Sequence, residues 1–392
     1  MKSASFLTTF KMCCQPDIST LTVATGANSQ SILEQVRDAQ VDPRVCLKKT
    51  LFGMTQTFPT KSAPAPLLIS ILLGGCSGPQ SALDPHGSGA SQIADLFFVM
   101  VLAGCLIWVA IIGVAIIAAR SDKKTFSRET GNRYIAAAGL IFPTVAIAVL
   151  LAYALSITPL LRVAPKGLNI EVEARQYWWK FRYQIPDSTS SAWANQPQSV
   201  DVANHLVLPV DESTHLQLKS PDVIHSFWAP ALNGKMDLIP GRVNELQLEP
   251  KKLGHIRGQC AEFCGLSHSY MGFDITILPK DEFERWLQQQ AAPAATPDGK
   301  SAERGRDLFF REGCQACHAI RGTPADGQIG PDLTHFASRK TLGAGVAPIS
   351  NSAVARWISN PGEFKPGVKM PAFSHLEEGD VRLIAEYLVG LE

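Results

Sequence analysis

The sequence lacks an excess of charge of either sign: 36 lysines and arginines oppose 35 aspartates and glutamates, giving a formal net charge of +1. This balance gives no electrostatic reason to expect nucleic acid or another acidic polymer as a partner. The sequence also lacks the even cysteine count of a closed disulfide framework, because it has nine cysteines. At 392 residues the chain is too long for one ordinary domain, so we expect two or three folding units.

Four of the cysteines form two close pairs far downstream, Cys260 with Cys264 and Cys314 with Cys317. Histidine and methionine flank both pairs, as ligands would, so we interpret the pairs as cofactor sites. Two short-loop disulfides in an exported protein are the alternative. No role is assigned to four others, Cys13, Cys14, Cys46 and Cys105.

Two long apolar runs, residues 94–119 and 134–155, reach the ~20 residues that cross a bilayer core as a helix. We predict two transmembrane helices, with buried core helices as the alternative. Pro143 interrupts the second run, which a membrane helix tolerates when neighbouring groups satisfy the freed carbonyl. The loop between the runs is rich in lysine and arginine, and such loops stay on the cytoplasmic side. The sequence therefore predicts a two-pass bacterial inner-membrane protein whose remainder faces the periplasm or outer side.

Upstream of these runs, residues 65–75 have the length of a signal-peptide core. The ending Leu73-Gly74-Gly75-Cys76 resembles a lipoprotein cleavage box, which would leave Cys76 as a lipidated N-terminus; a chance cysteine is the alternative. Met54 would begin a signal peptide of ordinary length. We predict a leader or signal region over residues 1–75, in which 1–53 are either a mis-set start or a dispensable leader, and a membrane segment over 76–161.

Residues 162–288 change character, with β-branched and aromatic runs separated by turn residues, and this pattern predicts an all-β sandwich or barrel. His225 and the loop from Cys260 to Met271 supply thiols, imidazoles and a thioether, which are donors that favour copper. One thiolate with two histidines would make a mononuclear copper site. The second cysteine allows both sulfurs to bridge two copper ions. A zinc site is the alternative, but zinc would not need Met271.

The pattern H…CxExCGxxHxxM resembles the binuclear copper centre, CuA, of cytochrome c oxidase subunit II, and the similarity covers residues 94–288. It implies a cupredoxin-like fold. The implied copper ligands are the side chains of His225, Cys260, Cys264, His268 and Met271 and the backbone carbonyl of Glu262. The Glu262 carboxylate would also help to hold magnesium at the interface with subunit I.

Two positions depart from the family pattern. Tyr177 stands where the family has the tryptophan at which electrons enter, so we predict electron entry at Tyr177 and Trp178; the alternative is that Trp178 and Trp179 are ordinary core residues of the β-sandwich. Ala136 stands where the family often has a glutamate that opens a proton channel, so no proton-uptake residue is assigned.

Residues 289–300 are rich in alanine and proline and predict a linker to a third domain, 301–392. This domain contains Cys314-Gln315-Ala316-Cys317-His318, the C-x-x-C-H pattern of covalent haem c attachment; a redox dithiol is the alternative. We predict His318 and Met370 as the haem iron ligands, because a thioether opposite histidine raises the haem potential. His335 and His375 are the competing sixth ligands, interpreted as surface histidines.

The segment Gly330-Pro331-Asp332-Leu333 resembles the part of class I cytochromes c in which a proline carbonyl accepts the His318 ring proton. We predict an all-α fold with terminal helices over 301–310 and 377–391, the latter with an apolar face. The residues of this apolar face are Val381, Ile384, Ala385, Leu388 and Val389. Arg339 and Trp357 resemble the family's haem-propionate and pocket residues.

Together the domains resemble subunit II of caa-type oxidases. The resemblance implies a cytochrome c-type donor, oxidase subunits I and III, and membrane lipid as partners, and no nucleic acid. It implies an electron path from haem c through CuA to subunit I, coupled to proton translocation. The chain cannot reduce oxygen alone, because its apolar runs contain no histidine for a haem–copper centre. A free-standing membrane-anchored electron carrier is the alternative. Two other classes of protein are disfavoured. A quinol oxidase subunit would lack the copper ligands, which are present in this sequence. Nitrous-oxide reductase shares the copper motif but would need a propeller-sized repeat array, which this sequence does not have.

Overall fold

The structure is a computed structural model that describes residues 77–120, 127–157, 167–185, 197–296 and 298–392. The predicted leader, with Cys76, lies outside the described residues, and so do Lys123 and Lys124 of the basic loop.

The apolar part begins with helix α1, Ser88–Arg120. The next helical segment comprises α2, Arg128–Ala136, a π-helical turn, Ala137–Ile141, and α3, Phe142–Ile157. Within the described residues, two helices, of 33 and 29 residues, are therefore long and apolar enough to cross a membrane, and both extend beyond the predicted runs. The π turn lies just before Pro143, which has no N–H for the helical ladder and whose ring crowds the preceding turn.

The second part consists of two five-stranded sheets that enclose one apolar core. The first sheet has the order β3-β2-β1-β5-β8 and the second β4-β10-β9-β6-β7. The strands of the first sheet are β1 Leu168–Arg175, β2 Trp178–Gln184, β3 Ser199–Ala203, β5 Thr214–Lys219 and β8 Asn244–Leu248. Those of the second are β4 His205–Pro209, β6 His225–Trp228, β7 Met236–Leu238, β9 Gly254–Cys260 and β10 Gly272–Leu278.

Alternation of side chains directs the large residues of β2 inward. Trp179, Phe181 and Tyr183 are fully buried, and the Tyr183 hydroxyl donates to the Val207 carbonyl at 3.0 Å. Helix α4, Lys280–Ala291, follows β10 and buries Phe283 and Leu287 against this core. Sequence reasoning did not predict this helix, which runs into the predicted linker.

The C-terminal part has a separate core enclosed by helices. Its elements are α5 Lys300–Arg311, a 3₁₀ turn Cys314–Ala316, the β11–β12 hairpin of Thr341–Leu342 and Ala347–Pro348, α6 Asn351–Ser359, α7 Pro361–Phe364 and α8 Glu378–Val389. Helices α5 and α8 cross at Gly305, where a side chain would collide with the Leu383 carbonyl. The predicted apolar face of α8 is buried, with Tyr387 as an additional member and Val389 only partly buried. The predicted fold class, two apolar helices with an all-β and a helical domain, is confirmed.

Candidate redox sites and their interface

The candidate copper site lies where strands β6 and β9 pair. His225 is the first residue of β6 and Cys260 the last residue of β9, and the register places Phe227 opposite Cys260. The loop that follows, 260–271, is called here the copper loop. It returns to the sheet at β10, directly after the buried Met271. The sheet therefore holds both ends of the loop, so strand pairing sets the positions of His225, Cys260 and Met271.

The predicted donors converge on one small volume. The Cys260 sulfur lies 3.9 Å from the Cys264 sulfur and 3.8 Å from His225 Nδ1. The Cys264 sulfur lies 3.7 Å from His268 Nδ1 and 3.8 Å from the Met271 sulfur.

These separations fit metal coordination. Donors bonded to one metal at ~2.0–2.3 Å with tetrahedral angles lie about 3.3–3.8 Å apart. The Cys260 sulfur is 3.2 Å from the Glu262 carbonyl, so the proposed backbone ligand also faces the cluster. Each cysteine sulfur has a different histidine beside it, which is the arrangement that two sulfurs bridging two metals require. The residues present therefore fit a binuclear copper site.

Hydrogen bonds around the donors fix the charge of the site. His225 Nε2 contacts Asp222 Oδ1 at 2.9 Å, which leaves Nδ1 directed at Cys260. Burial raises the pKa of the Asp222 carboxyl, but hydrogen bonds from His225 and the Gln176 amide outweigh it and hold the pKa far below its usual range. Asp222 is thus ionised, and it holds the imidazole in one orientation.

The two thiols lie in contact and influence each other's protonation. The hydrogen bond from the Cys264 thiol holds the pKa of Cys260 well below its usual value, and the same hydrogen bond raises the pKa of Cys264. Metal ions would displace the remaining proton, since thiolates are the ligand form.

The candidate haem site surrounds His318. Its Nδ1 donates to the Pro331 carbonyl at 2.7 Å, so the predicted proline contact is confirmed. A side chain at Gly330 would collide with the His318 ring, which explains glycine before this proline. Trp357 Nε1 donates to the Met370 sulfur at 3.1 Å and orients that thioether. Arg339 is held by the Asp332 carbonyl, and its role toward a propionate stays a prediction.

Of the cysteines of the C-x-x-C-H motif, Cys314 begins the short 3₁₀ turn, Cys314–Ala316, and Cys317 directly follows it; both carry free thiols. Two thiols at the ends of one turn, next to the ligand imidazole, form the arrangement that covalent haem attachment requires. The residues therefore fit haem c. The competing ligand His335 was interpreted from the sequence as a surface histidine. In the structure it is half-buried, and its Nε2 contacts the Ala292 carbonyl. His375 is exposed.

The copper loop and the loop that leads to Met370 lie in contact. The Ser267 hydroxyl donates to the Pro366 carbonyl at 2.7 Å, and the Lys365 ammonium donates to the Tyr177 carbonyl at 2.6 Å. At the periphery, Lys369 pairs with Asp222 at 3.4 Å. The two candidate redox sites therefore face each other across hydrogen-bonded loops.

The predicted electron-accepting residues lie in this interface. Tyr177 is only 5% exposed, and its hydroxyl lies against Gly265 of the copper loop. Trp178 is half-buried and lines a small cavity with Gly327 and Gly330 of the haem domain. Their role stays a prediction, as does magnesium binding by the half-buried Glu262.

Sequence reasoning missed Asp222, Gln176, Ser267 and Lys365 as site residues. Asp222 lies three positions before His225, a spacing that could have suggested the contact. Ser267 and Lys365 are 98 positions apart in the sequence and carry no such signal.

Comparison with known proteins agrees with this architecture. The family model of the periplasmic domain of cytochrome c oxidase subunit II matches residues 168–278, and that of cytochrome c matches 302–392. Cytochrome c oxidase subunit 2 of Alkalihalophilus pseudofirmus is 30% identical over 339 residues, covering 83% of this chain and 95% of that protein. Its counterpart in Bacillus subtilis is 29% identical over 355 residues, covering 83% and 96%. A crystal structure of the periplasmic domain of cytochrome oxidase subunit II of Bradyrhizobium japonicum covers 33% of this chain and 96% of that chain, with 30% identity and a TM-score of 0.28.

The chain belongs to the cytochrome c oxidase subunit II family, in the form that carries a cytochrome c domain at its C-terminus. The prediction of an oxidase subunit is confirmed. The subunit II domain, residues 168–278, implies copper, and the cytochrome c domain, residues 302–392, implies haem; both sites have the donors that these cofactors need. With its two apolar helices, the chain is a membrane protein with periplasmic domains.

Proposed function

We propose that this chain is the electron-accepting subunit of a respiratory oxidase. It takes electrons from an external cytochrome c-type donor at haem c bound covalently to Cys314 and Cys317. It passes them through the binuclear copper centre to an oxygen-reducing subunit I, in a complex that also contains subunit III and translocates protons. The observation that supports this most strongly is the direct contact of the two candidate cofactor loops, Ser267 with Pro366.

When bound, the haem and the copper pair supply one-electron carriers. The protein has three tasks toward these carriers, and the first is to hold and orient the ligands of the haem iron. His318 and Met370 would hold the iron, with the Pro331 carbonyl and the Trp357 ring nitrogen fixing their orientation.

The second task is to hold the copper donors in place, which the paired strands and Asp222 do. Because strands hold both ends of the copper loop, the donors would keep their positions when a bound copper pair changes redox state. The third task is to exclude water: His225 is fully buried, and both copper-loop cysteines are at most 5% exposed.

Contact with subunit I is proposed at the open side of the copper loop. Phe263 is 76% exposed and Tyr270 47% exposed, which is unusual for aromatic side chains of a soluble domain. Magnesium at the Glu262 carboxylate would lie at the same interface. The two apolar helices would contact lipid in a two-pass arrangement in the inner membrane, with Cys76 as a lipidated terminus. Mass spectrometry of the mature N-terminus tests this last point, and an intact Met1 would contradict it.

The deciding experiment is metal and haem analysis of the full chain purified from membranes, with electron paramagnetic resonance. We expect about two coppers per covalent haem, with a signal delocalised over both coppers. One copper, zinc, or a haem lost on denaturation would contradict the proposed sites. Copurification of a multi-helix haem protein is expected for an oxidase subunit, and its absence would favour a free-standing carrier.

A further inference from the structure

Lys365 is a buried charge that the proposed function does not explain. Its side chain is 1% exposed, although lysine is almost never fully buried without partners. The ammonium donates to the Tyr177 carbonyl at 2.6 Å and to the Gly343 carbonyl at 2.7 Å. Tyr177 belongs to the copper domain and Gly343 to the turn of the β11–β12 hairpin in the haem domain. One side chain therefore joins the two domains.

The location of this contact is specific to the two redox sites. Lys365 begins the segment 365–370, called here the methionine loop, which ends at the proposed iron ligand Met370. On the copper side, Gln176, next to Tyr177, donates through its side-chain amide to the Cys264 carbonyl at 2.6 Å. Hydrogen bonds thus connect the start of the methionine loop to the backbone of a copper-ligand cysteine.

A second contact reaches the other half of the copper loop. Ser267, which is fully buried, donates to the carbonyl of Pro366. Ser267 directly precedes His268, so the methionine loop is fixed near a cysteine ligand and a histidine ligand at once. Two contacts on neighbouring residues prevent the loop from rotating about either one.

The chemistry explains why a lysine occupies this position. An apolar side chain would leave the Tyr177 and Gly343 carbonyls buried without this donor, which is costly. Hydrogen bonds from a charged donor are shorter and stronger than neutral ones. Burial lowers the pKa of Lys365 to about 7, and Cys264 opposes this change, because a thiolate at that position favours the charged ammonium.

We propose that Lys365 is a positioning residue that holds the methionine loop against the copper loop, and so determines how fast haem c passes its electron to copper. This role rests on the proposed function. The step moves one electron from reduced haem to the oxidised copper pair, with no bond formed or broken. Because misplacement of reacting groups by about 1 Å can cost ~100-fold in rate, a loosened loop slows the step strongly.

The test uses the full chain in its oxidase complex, with Lys365→Met as the variant. Methionine fills a similar volume without donors. Loss of a charge-assisted hydrogen bond shifts the equilibrium between the docked and undocked methionine loop by about 10-fold or more. We expect hydrogen exchange of amides in 262–268 and 365–370 to accelerate by a similar factor. After photoreduction of haem c, its re-oxidation by copper should slow by about 10-fold or more. Haem and copper spectra should be unchanged.

Ser267→Ala is the second variant, and it should accelerate exchange in the same two segments. Lys300→Met, at an exposed lysine that begins α5, is the matched control and should leave exchange and rate at wild-type values. Wild-type exchange and rate in Lys365→Met would overturn the role of Lys365 while leaving the proposed function intact. A wild-type complex in which haem c does not re-oxidise through copper would overturn both.

Discussion

The thioether of Met271 is the copper-loop donor that can be replaced with the least change of shape. Its sulfur lies 3.8 Å from the Cys264 sulfur, and the side chain is 1% exposed. Leucine preserves the apolar packing at a cost of about 1.5 kcal/mol or less, but offers no donor. We expect Met271→Leu to abolish the delocalised copper signal while covalent haem c is retained, as measured by electron paramagnetic resonance and haem staining.

Cys264→Ser tests the bridging sulfur in the same way. Serine keeps the size of the side chain but replaces a soft donor with a hard one, so copper loss with intact haem is again expected. Wild-type turnover in either variant would contradict the ligand assignment. The two variants together distinguish a lost ligand from a misfolded domain, because their effects on packing differ.

His205 links the stability of the copper domain to pH. Its Nε2 contacts Thr276 Oγ1 at 2.9 Å, and burial lowers the pKa of the imidazole to about 4, with Asp274 opposing. In the unfolded chain His205 takes up a proton near pH 6.5, whereas in the folded chain burial disfavours this uptake. The contribution of neutral His205 to the free energy of unfolding is therefore complete above pH 6.5. It is lost progressively as the pH falls to about 4.

We therefore expect denaturant midpoints of the wild type to fall between pH 6.5 and 4 more steeply than those of His205→Gln. His375→Gln, at an exposed histidine, is the control and should follow the wild type. Parallel curves for the wild type and His205→Gln would show that another group carries the pH dependence.

At the scale of elements, the crossing of α5 and α8 depends on the absence of a side chain at Gly305. A Cβ atom there would collide with the Leu383 carbonyl and approach the Tyr387 side chain. We expect Gly305→Ala to destabilise the haem domain by about 1–3 kcal/mol, because the helices must move apart. Thermal unfolding followed by haem absorbance measures this.

Gly379→Ala is the matched control on α8, since a Cβ atom there meets nothing within 4 Å. Its expected effect is neutral or slightly stabilising, by up to about 1 kcal/mol, because alanine favours helix. Equal losses in the two variants would mean that the helix crossing does not depend on close approach at Gly305.

The elements also show where sequence reasoning succeeded. The alternating runs of β1, β2 and β10 were predicted because a half-buried strand needs a period of two. Short strands such as β6, which has only four residues, gave no such pattern, and β9 contains two glycines. Helix α4 was missed because its residues were divided between the predicted domain and linker.

The same contrast holds for the sites. The proposed ligands could be named from the sequence because metal and haem chemistry requires particular residue types, most of them within the short motifs 260–271 and 314–318. Lys365 and Ser267 could not be found in this way, because their roles depend on two domains meeting. The electron-entry role given to Tyr177 stays a prediction, and the structure adds that Tyr177 is 5% exposed and belongs to the core of the copper domain.

At the scale of the whole molecule, tethering gives the haem domain an effective concentration of order mM at the copper loop. Two of the contacts that dock it are buried, since Lys365 is 1% exposed and Ser267 is fully buried. The Lys369–Asp222 pair, with the lysine 63% exposed, and the exposed contact of Lys340 with His255 lie at the periphery, and such contacts contribute little.

Salt should therefore distinguish the internal step from the external one. Raising ionic strength from about 0.01 M to 0.15 M shortens the Debye length from about 30 Å to 8 Å and screens exposed charges. We expect re-oxidation of haem c by copper to change by less than about twofold over this range, because buried contacts are screened little. Reduction of haem c by a charged soluble cytochrome should slow as salt rises. Lys369→Met is the control and should leave the internal rate unchanged. A steep fall of the internal rate with salt would mean that exposed charges hold the haem domain in place.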